Sequence, residues 1–313
     1  MRVVIAGGSG FLGHALTRQL LAGGHRVSVL TRGETAHQRG VNVVLWDPNG
    51  RADIWARTLD GADVVVNLAG ASIAGRRWTA AHKRLVHDSR IKATESLVAA
   101  VAACRYPPST FIQGSGVGYY GATLDDRPLD ESGAPGSDFL AELCVEWEAK
   151  AQPVSTLGCR LVAVRTGLVL AKKGGVLPPM ALPFKLFAGG PVGSGRQYLS
   201  WIHVDDWVAL IAWAIGNPDV VGIVNASAPE PVTNEIFSRA LGRALGRPCW
   251  LRVPAFAMRS LLGNEMADCL ILQGQRVLPA RAIALGFPFQ FTDVDEALGT
   301  LLASEMMSGI FSH

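Results

Sequence analysis

The sequence predicts an α/β fold, a doubly wound parallel sheet followed by a smaller, mostly helical C-terminal lobe. Three observations carry this. Short runs rich in β-branched residues alternate with stretches of helix length, as in Val3 to Ala6, Leu12 to Ala22, Arg26 to Leu30, Asp63 to Leu68, Lys92 to Ala103 and Thr110 to Gln113; such alternation marks βαβ units. The runs are apolar throughout rather than at every second residue, as in Val64-Val65-Val66 and Leu161-Val162-Ala163-Val164, which suits strands covered on both faces. A glycine-rich turn closes the first run.

That first run, Val3 to Ala6, leads into Gly7-Gly8-Ser9-Gly10-Phe11-Leu12-Gly13. Glycines at the strand end, in the turn and in the first helical turn meet three needs: a tight turn, a backbone that approaches phosphate, and close packing of helix on strand. The helix then offers unpaired N–H groups and the positive end of its dipole to a pyrophosphate. Gly7, Gly8, Ser9, Gly10, Phe11, Leu12 and Gly13 therefore read as the dinucleotide turn of a Rossmann fold. The second strand ends in Thr31-Arg32, where an NAD-selective site carries an acid for the ribose 2′-hydroxyl. An arginine there pairs with a 2′-phosphate and Thr31 adds a hydroxyl, so the expected cofactor is NADP(H). The alternative is a solvated surface arginine. The fourth strand ends in Asn67-Leu68-Ala69-Gly70, small residues that either let backbone pass close to the cofactor or make an ordinary turn.

The chain continues with a helix at Glu142 to Ala151 and a strand at Leu161 to Leu170. Its character then changes: Gly174-Gly175, Pro178-Pro179 and the stretch Gly189 to Gly195 interrupt two short apolar segments, read as loops over the sheet edge. A helix at Val208 to Ile215 and a strand at Gly222 to Asn225 return to the sheet. The expected organisation is an NADP-binding Rossmann domain over 1–228, with 173–204 serving the substrate side, a small lobe over 229–303 and a tail over 304–313.

Composition narrows the function. A chain of 313 residues, 49% hydrophobic and 18% charged, buries a large core. The formal net charge of +3 is spread along the chain, without the runs of about five or six like charges that mark nucleic-acid arms or membrane patches. Neither partner is expected. Five cysteines lie far apart, with no C-x-x-C pair, so no metal site or disulfide framework is expected and a reducing cytoplasm fits. The strand at Val3 leaves no room for an export leader. Apolar runs such as Trp207 to Ile215 are shorter than the roughly 20 residues that cross a bilayer. The expected partner is a small molecule, with a homo-oligomer left open.

Gly7 to Gly13 with Asn67 to Gly70 resembles the extended short-chain dehydrogenase/reductase superfamily, which includes nucleotide-sugar epimerases and dehydratases. Asp88-Ser89-Arg90, Gly118-Tyr119-Tyr120-Gly121, Trp147-Glu148, Gly193-Ser194-Gly195-Arg196-Gln197 and Ser200-Trp201-Ile202-His203 look like its atypical branch, the 39U1-like or YfcH-type epimerase family proteins. Pro231 to Leu302 resembles the C-terminal domain of that branch, whose role is uncharacterised. The resemblance implies NADP contacts at Thr31, Arg32, Leu68, Ala69, Arg90 and, after the sixth strand, Val169. It implies no particular reaction.

Catalysis in the superfamily uses a Ser or Thr, a Tyr acid/base, and a Lys four residues on that lowers the tyrosine pKa from about 10. Ser115, four residues before Tyr119, is the candidate serine, the alternative being a loop cap. Counting back from Trp147-Glu148 puts Leu140 and Cys144 at the tyrosine and lysine positions, and neither moves a proton as required. Tyr119 is the candidate replacement; Tyr120 and Arg196, whose guanidinium suits an anion, are candidate substrate contacts. The two rings read equally as packing groups. Asp206 is expected to cap the helix that follows it, and Asp125-Asp126 and Asp130-Glu131 to be solvated. Two functions follow: an NADP(H)-dependent oxidoreductase or epimerase-like protein acting on a small carbonyl or hydroxyl compound, or an NADP(H)-sensing regulator that works through a protein partner.

Overall fold

The computed structural model describes residues 1–33 and 40–310, with side chains through residue 303. Seven strands make one sheet: β1 (Arg2–Ala6), β2 (Arg26–Thr31), β3 (Val41–Leu45), β4 (Val64–Asn67), β5 (Thr110–Gly116), β6 (Arg160–Thr166) and β7 (Gly222–Ala226), in the order β7-β6-β5-β4-β1-β2-β3. β1 lies parallel to β2 and β4, β2 to β3, and β4 to β5. The order reverses between β1 and β4, and in open α/β sheets that switch point is where ligands bind. Ile5 and Val66, in the middle of the two strands, are fully buried, and each such side chain contributes about 1.5–3 kcal/mol of burial.

β3 escapes the apolar alternation because no residue of it is fully buried; a half-exposed edge strand needs no unbroken apolar run. Helix α1 (Phe11–Ala22) buries Leu16 and Leu20. α2 (Ala80–Ala102) starts twelve residues before the expected Lys92, capped by Thr79, whose hydroxyl accepts the His82 N–H at 3.2 Å. α3 (Phe139–Ala151) begins where the Asp138 carboxylate accepts the Leu140 and Ala141 N–H groups at 2.9 and 3.0 Å, satisfying two orphan donors of its first turn.

Contacts separate two units. The first comprises residues 1–116, 142–165 and 208–224 and holds the sheet with α1 and α2. Its core joins Val4, Leu30, Val65, Leu97 and Phe111.

The second unit comprises residues 117–141, 166–207 and 225–313. The expected strand Leu161 to Leu170 breaks at Gly167, where a Cβ would collide with the Ser200 carbonyl oxygen. Leu168–Leu170 then pairs with Trp201–His203 instead. The stretch after Leu170, expected as loop, contains helix α4 (Leu177–Lys185). Pro178 and Pro179 occupy its first turn, where a missing N–H costs nothing. After α5 (Val204–Gly216), helix α6 (Asn234–Leu245) is capped by Thr233 and closed by Gly246 in the left-handed region. Phe237 and Leu241 of α6 pack with Phe184, Leu298 and Leu302. The last helix, Val294–Ile310, runs through most of the expected tail, of which 311–313 lie outside the described residues. No helix among the described residues is long and apolar enough to cross a membrane.

Candidate functional site

At the carboxyl ends of β1, β2 and β4 lies a cavity of about 400 Å³. Gly7, Ser9 and Gly10 line it from the first turn, Thr31 and Arg32 from the end of β2, and Leu68, Ala69 and Gly70 from the end of β4. Gly7 has φ +79°, and a Cβ there would lie 2.6 Å from the Leu68 carbonyl oxygen. A Cβ on Gly13 would overlap the Gly7 carbonyl oxygen. Turn, helix and strand end thus meet backbone to backbone, with no room for a side chain. Gly8 is buried within the turn, and Phe11 and Leu12, half-buried, open α1 without lining the cavity. Gly10, the N-cap of α1, offers no side-chain cap and the first turn carries no acid, so its N–H groups and positive dipole end suit an anionic ligand.

The rest of the lining, which no motif in the sequence assigns to the cofactor, is Leu30 of β2, Trp46, Asp47 and Pro48 after β3, and Leu85, Asp88, Ser89 and Lys92 from α2. Once β3 is seen to run parallel to β2, the residues following it must reach the same edge. Arg32 is exposed on the rim. The Lys92 ammonium lies 3.3 Å from Asp88, which His87 also contacts at 3.0 Å. Hydrogen bonding to Glu146, then to Asp88, holds the His87 pKa above its ordinary value. The Thr31 hydroxyl donates to the Gly33 carbonyl at 3.2 Å and accepts the Gly33 N–H at 3.5 Å, which leaves one lone pair for a ligand.

Two expected contacts sit elsewhere. Arg90 is buried and does not line the cavity: its Nη1 donates to the Ala71 and Val86 carbonyls, both at 3.0 Å, and its guanidinium stands 5.1 Å from the Trp147 ring. A Cβ on Gly70 would lie 2.8 Å from the Arg90 Cζ, so Arg90 supports the cavity wall from behind. Burial draws its pKa down to about 10, which leaves it charged at neutral pH. Val169 is buried in the second unit, paired with Ile202.

Ser115, at the carboxyl end of β5, is buried, and its hydroxyl donates to Glu148 Oε1 at 2.7 Å. The same carboxylate accepts from Arg165 Nε and Nη2, both at 2.8 Å. Arg165 is 3% exposed, so this is a buried bidentate ion pair with a serine hydroxyl on one oxygen. The free loop cap considered for Ser115 is thereby excluded.

Leu140 and Cys144 both lie on α3. Leu140 packs over Gly118. Burial pushes the Cys144 thiol up to about 11, and its Sγ lies 3.7 Å from the Gly116 carbonyl. A thiol so poised is inert at neutral pH. Cys144 is therefore expected to escape iodoacetamide in the folded protein and to react only after denaturation, read by mass spectrometry of the labelled peptide; rapid native labelling would contradict its burial.

Tyr120, a candidate substrate contact in the sequence, has its hydroxyl engaged within the protein. It is buried and donates to Asn225 Oδ1 at 2.8 Å. Tyr119, half-buried, stands edge-on to it with ring centroids 5.3 Å apart. Arg196 is exposed on its glycine loop. Two further expectations fail for one reason, long-range backbone donors. Asp206 accepts the Gln290 and Phe291 N–H groups, both at 2.9 Å, instead of capping its own helix. Glu131 accepts the Asn225 and Arg281 N–H groups instead of standing in solvent.

Residues 3–226 match the NAD dependent epimerase/dehydratase family, and residues 253–301 match a domain of unknown function, DUF1731. Epimerase family protein Mb2239 of Mycobacterium bovis is 44% identical over 298 residues, covering 95% of this chain and 96% of its own. Epimerase family protein YfhF of Bacillus subtilis is 40% identical over 304 residues, with coverage of 97% and 98%. The crystal structure of human epimerase family protein SDR39U1 with NADPH superposes with a TM-score of 0.87 at 34% identity, covering 97% of this chain and 99% of that one. A UDP-glucose 4-epimerase from Thermotoga maritima, at 17% identity and a TM-score of 0.79, shares the fold alone. With its paired amino-terminal sheet and carboxyl-terminal segment both matched, the chain belongs to the NAD dependent epimerase/dehydratase family, in the branch of epimerase family proteins that carries the DUF1731 domain.

Proposed function

We propose that the chain binds NADP(H) in the cavity at the ends of β1, β2 and β4 and acts as an oxidoreductase or epimerase-like protein on a small carbonyl or hydroxyl compound, anionic where Arg196 contacts it. The observation that carries this reading is the backbone cradle at Gly7 and Gly13, where a Cβ would overlap neighbouring backbone, with Gly10 lining the cavity and Arg32 rather than an acid at the end of β2. The human relative crystallised with NADPH supports it.

The residues present fit such a group. Gly7, Gly10 and the start of α1 hold the pyrophosphate, Arg32 pairs with the 2′-phosphate, and Leu68 to Gly70 let the dinucleotide pass close to backbone. When bound, the nicotinamide supplies hydride exchange. The Ser115 hydroxyl donates to Glu148, so its oxygen is placed to accept from a substrate hydroxyl. Tyr119, half-buried, is the candidate acid/base, its phenol able to donate a proton and its phenolate to accept one.

Titration of NADPH and NADH against wild type and Arg32→Ala tests the cofactor assignment. One charge-assisted contact is worth about 1.5–3 kcal/mol, so the variant is expected to lose about 10- to 100-fold in NADPH affinity and little in NADH affinity. An unchanged ratio removes the assignment.

The buried Leu140 and Cys144 favour a second reading, a regulator that senses NADP(H) without turnover. A panel of carbonyls, alcohols and nucleotide sugars separates the two. Turnover lost in Tyr119→Phe supports the enzyme. Silence across the panel, with NADPH and NADP⁺ differing in their effect on oligomeric state or partner binding, supports the regulator.

A further inference from the structure

We propose that the first unit carries an anion site at the amino ends of β1, β2 and β3, where Arg2 and Arg26 stand side by side to take the phosphate group of a small phosphorylated molecule. It lies at the opposite edge of the sheet from the cofactor cavity. The inference goes beyond the cofactor reading and does not depend on it.

A second cavity, of about 340 Å³, opens there. Arg2 and Val4 of β1, Arg26 and Ser28 of β2, and Asn42 of β3 line it, with Thr58 from the helical turn Ile54–Thr58. The strand register explains why these residues meet. Arg2 pairs with Arg26, Val4 with Ser28, and Ser28 with Asn42. Paired residues of neighbouring strands share a face of the sheet, and so do alternate residues of one strand. The five side chains therefore make one surface, with the two arginines on strands about 4.8 Å apart.

Two like charges side by side on neighbouring strands repel. Among the described residues, neither guanidinium forms an ion pair that would offset this. Two carboxylates stand near Arg2, and backbone donors engage both: Asp63 accepts the Arg2 N–H at 2.6 Å and Asp60 accepts the Tyr106 N–H at 2.7 Å. The Arg2 guanidinium reaches the Asp60 carbonyl, at 3.4 Å, rather than its carboxylate. No acid is among the residues that line the cavity.

The rest of the lining adds donors. Asn42 Nδ2 donates to Ser28 Oγ at 3.2 Å, which leaves the serine hydrogen free for a ligand. Thr58 brings a second hydroxyl. Two guanidiniums without carboxylate partners, joined by hydroxyls, suit a negatively charged ligand that only accepts. A phosphate group offers such a set three oxygens where a carboxylate offers two. The volume is in the range that holds small molecules, so it has room for the organic part of a phosphate ester. No run of charge marks the site in the sequence, because Arg2 and Arg26 meet only through the pairing of β1 with β2.

The test is calorimetric titration of the full chain at low ionic strength with inorganic phosphate and with glycerol 3-phosphate. Both are expected to bind wild type, to bind about tenfold or more weakly to Arg26→Gln, and to bind Arg32→Ala, altered at the rim of the cofactor cavity, as they bind wild type. Arg26 is exposed, and without phosphate its variant is expected to melt no lower than wild type, because it relieves a like-charge contact. Added phosphate is expected to raise the melting temperature of wild type more than that of the variant. No binding to wild type, or binding that Arg26→Gln leaves intact, overturns the proposal. An equal loss in Arg32→Ala also overturns it, since phosphate would then answer net charge or the cofactor cavity rather than this site.

Discussion

Replacing Arg165 by methionine is expected to lower the unfolding free energy by about 3–5 kcal/mol, the cost of stranding one member of a buried ion pair. Arg165 and Glu148 meet through two bonds of 2.8 Å, and both are buried. Without the guanidinium, the carboxylate keeps only the Ser115 hydroxyl. Against a typical stability of about 5–15 kcal/mol, that loss is a large fraction. The double variant Arg165→Met/Glu148→Leu removes the stranded charge and is expected to recover most of the loss, since apolar pairs of similar volume replace buried ion pairs at little cost. Urea denaturation measures both. A single variant within about 1 kcal/mol of wild type would mean that Glu148 carries no buried charge, and with it would go the fixed orientation of Ser115.

Gly7→Ala is expected to abolish measurable NADPH binding and to lower stability by about 1–3 kcal/mol, because it imposes a left-handed backbone on alanine. Its Cβ would also stand 2.6 Å from the Leu68 carbonyl oxygen. The strand ends of β1 and β4 must part to admit it, and the cavity lies between them. Ser9→Ala, an exposed position on the same turn, is the control and is expected to leave the melting temperature unchanged. Thermal melts with and without NADPH read both effects; a Gly7→Ala protein that NADPH still stabilises would move the dinucleotide elsewhere.

The sheet was legible because strands buried on both faces must be apolar throughout, and the turn after β1 because the backbone approaches at Gly7 and Gly13 each demand glycine. β3 was not, since an edge strand half in solvent carries Asn42 as readily as valine. Trp46, Asp47 and Pro48 were lost with it. α4 was hidden by prolines that read as breakers but occupy a first turn. The Glu148–Arg165 pair left one signal in the sequence: Arg165 is the lone charge within the apolar interior of β6, from Leu161 to Thr166, and a charge there requires a partner. Which partner depended on how α3 lies on the sheet. Tyr120 met Asn225, 105 residues away, through tertiary folding alone.

Leu140 and Cys144, expected from the sequence at the superfamily's proton-transfer positions, are buried, while the turn at Gly7 and Gly13 has the close backbone packing a bound dinucleotide would need. The proposed cofactor binding is thus testable apart from the proposed catalysis. A crystal structure of the chain grown with NADPH tests it most directly. The expected density has the pyrophosphate over Gly7, Gly10 and the start of α1, with the 2′-phosphate against Arg32. A dinucleotide bound away from that turn, or a 2′-phosphate directed away from Arg32, would contradict the assignment of the cavity.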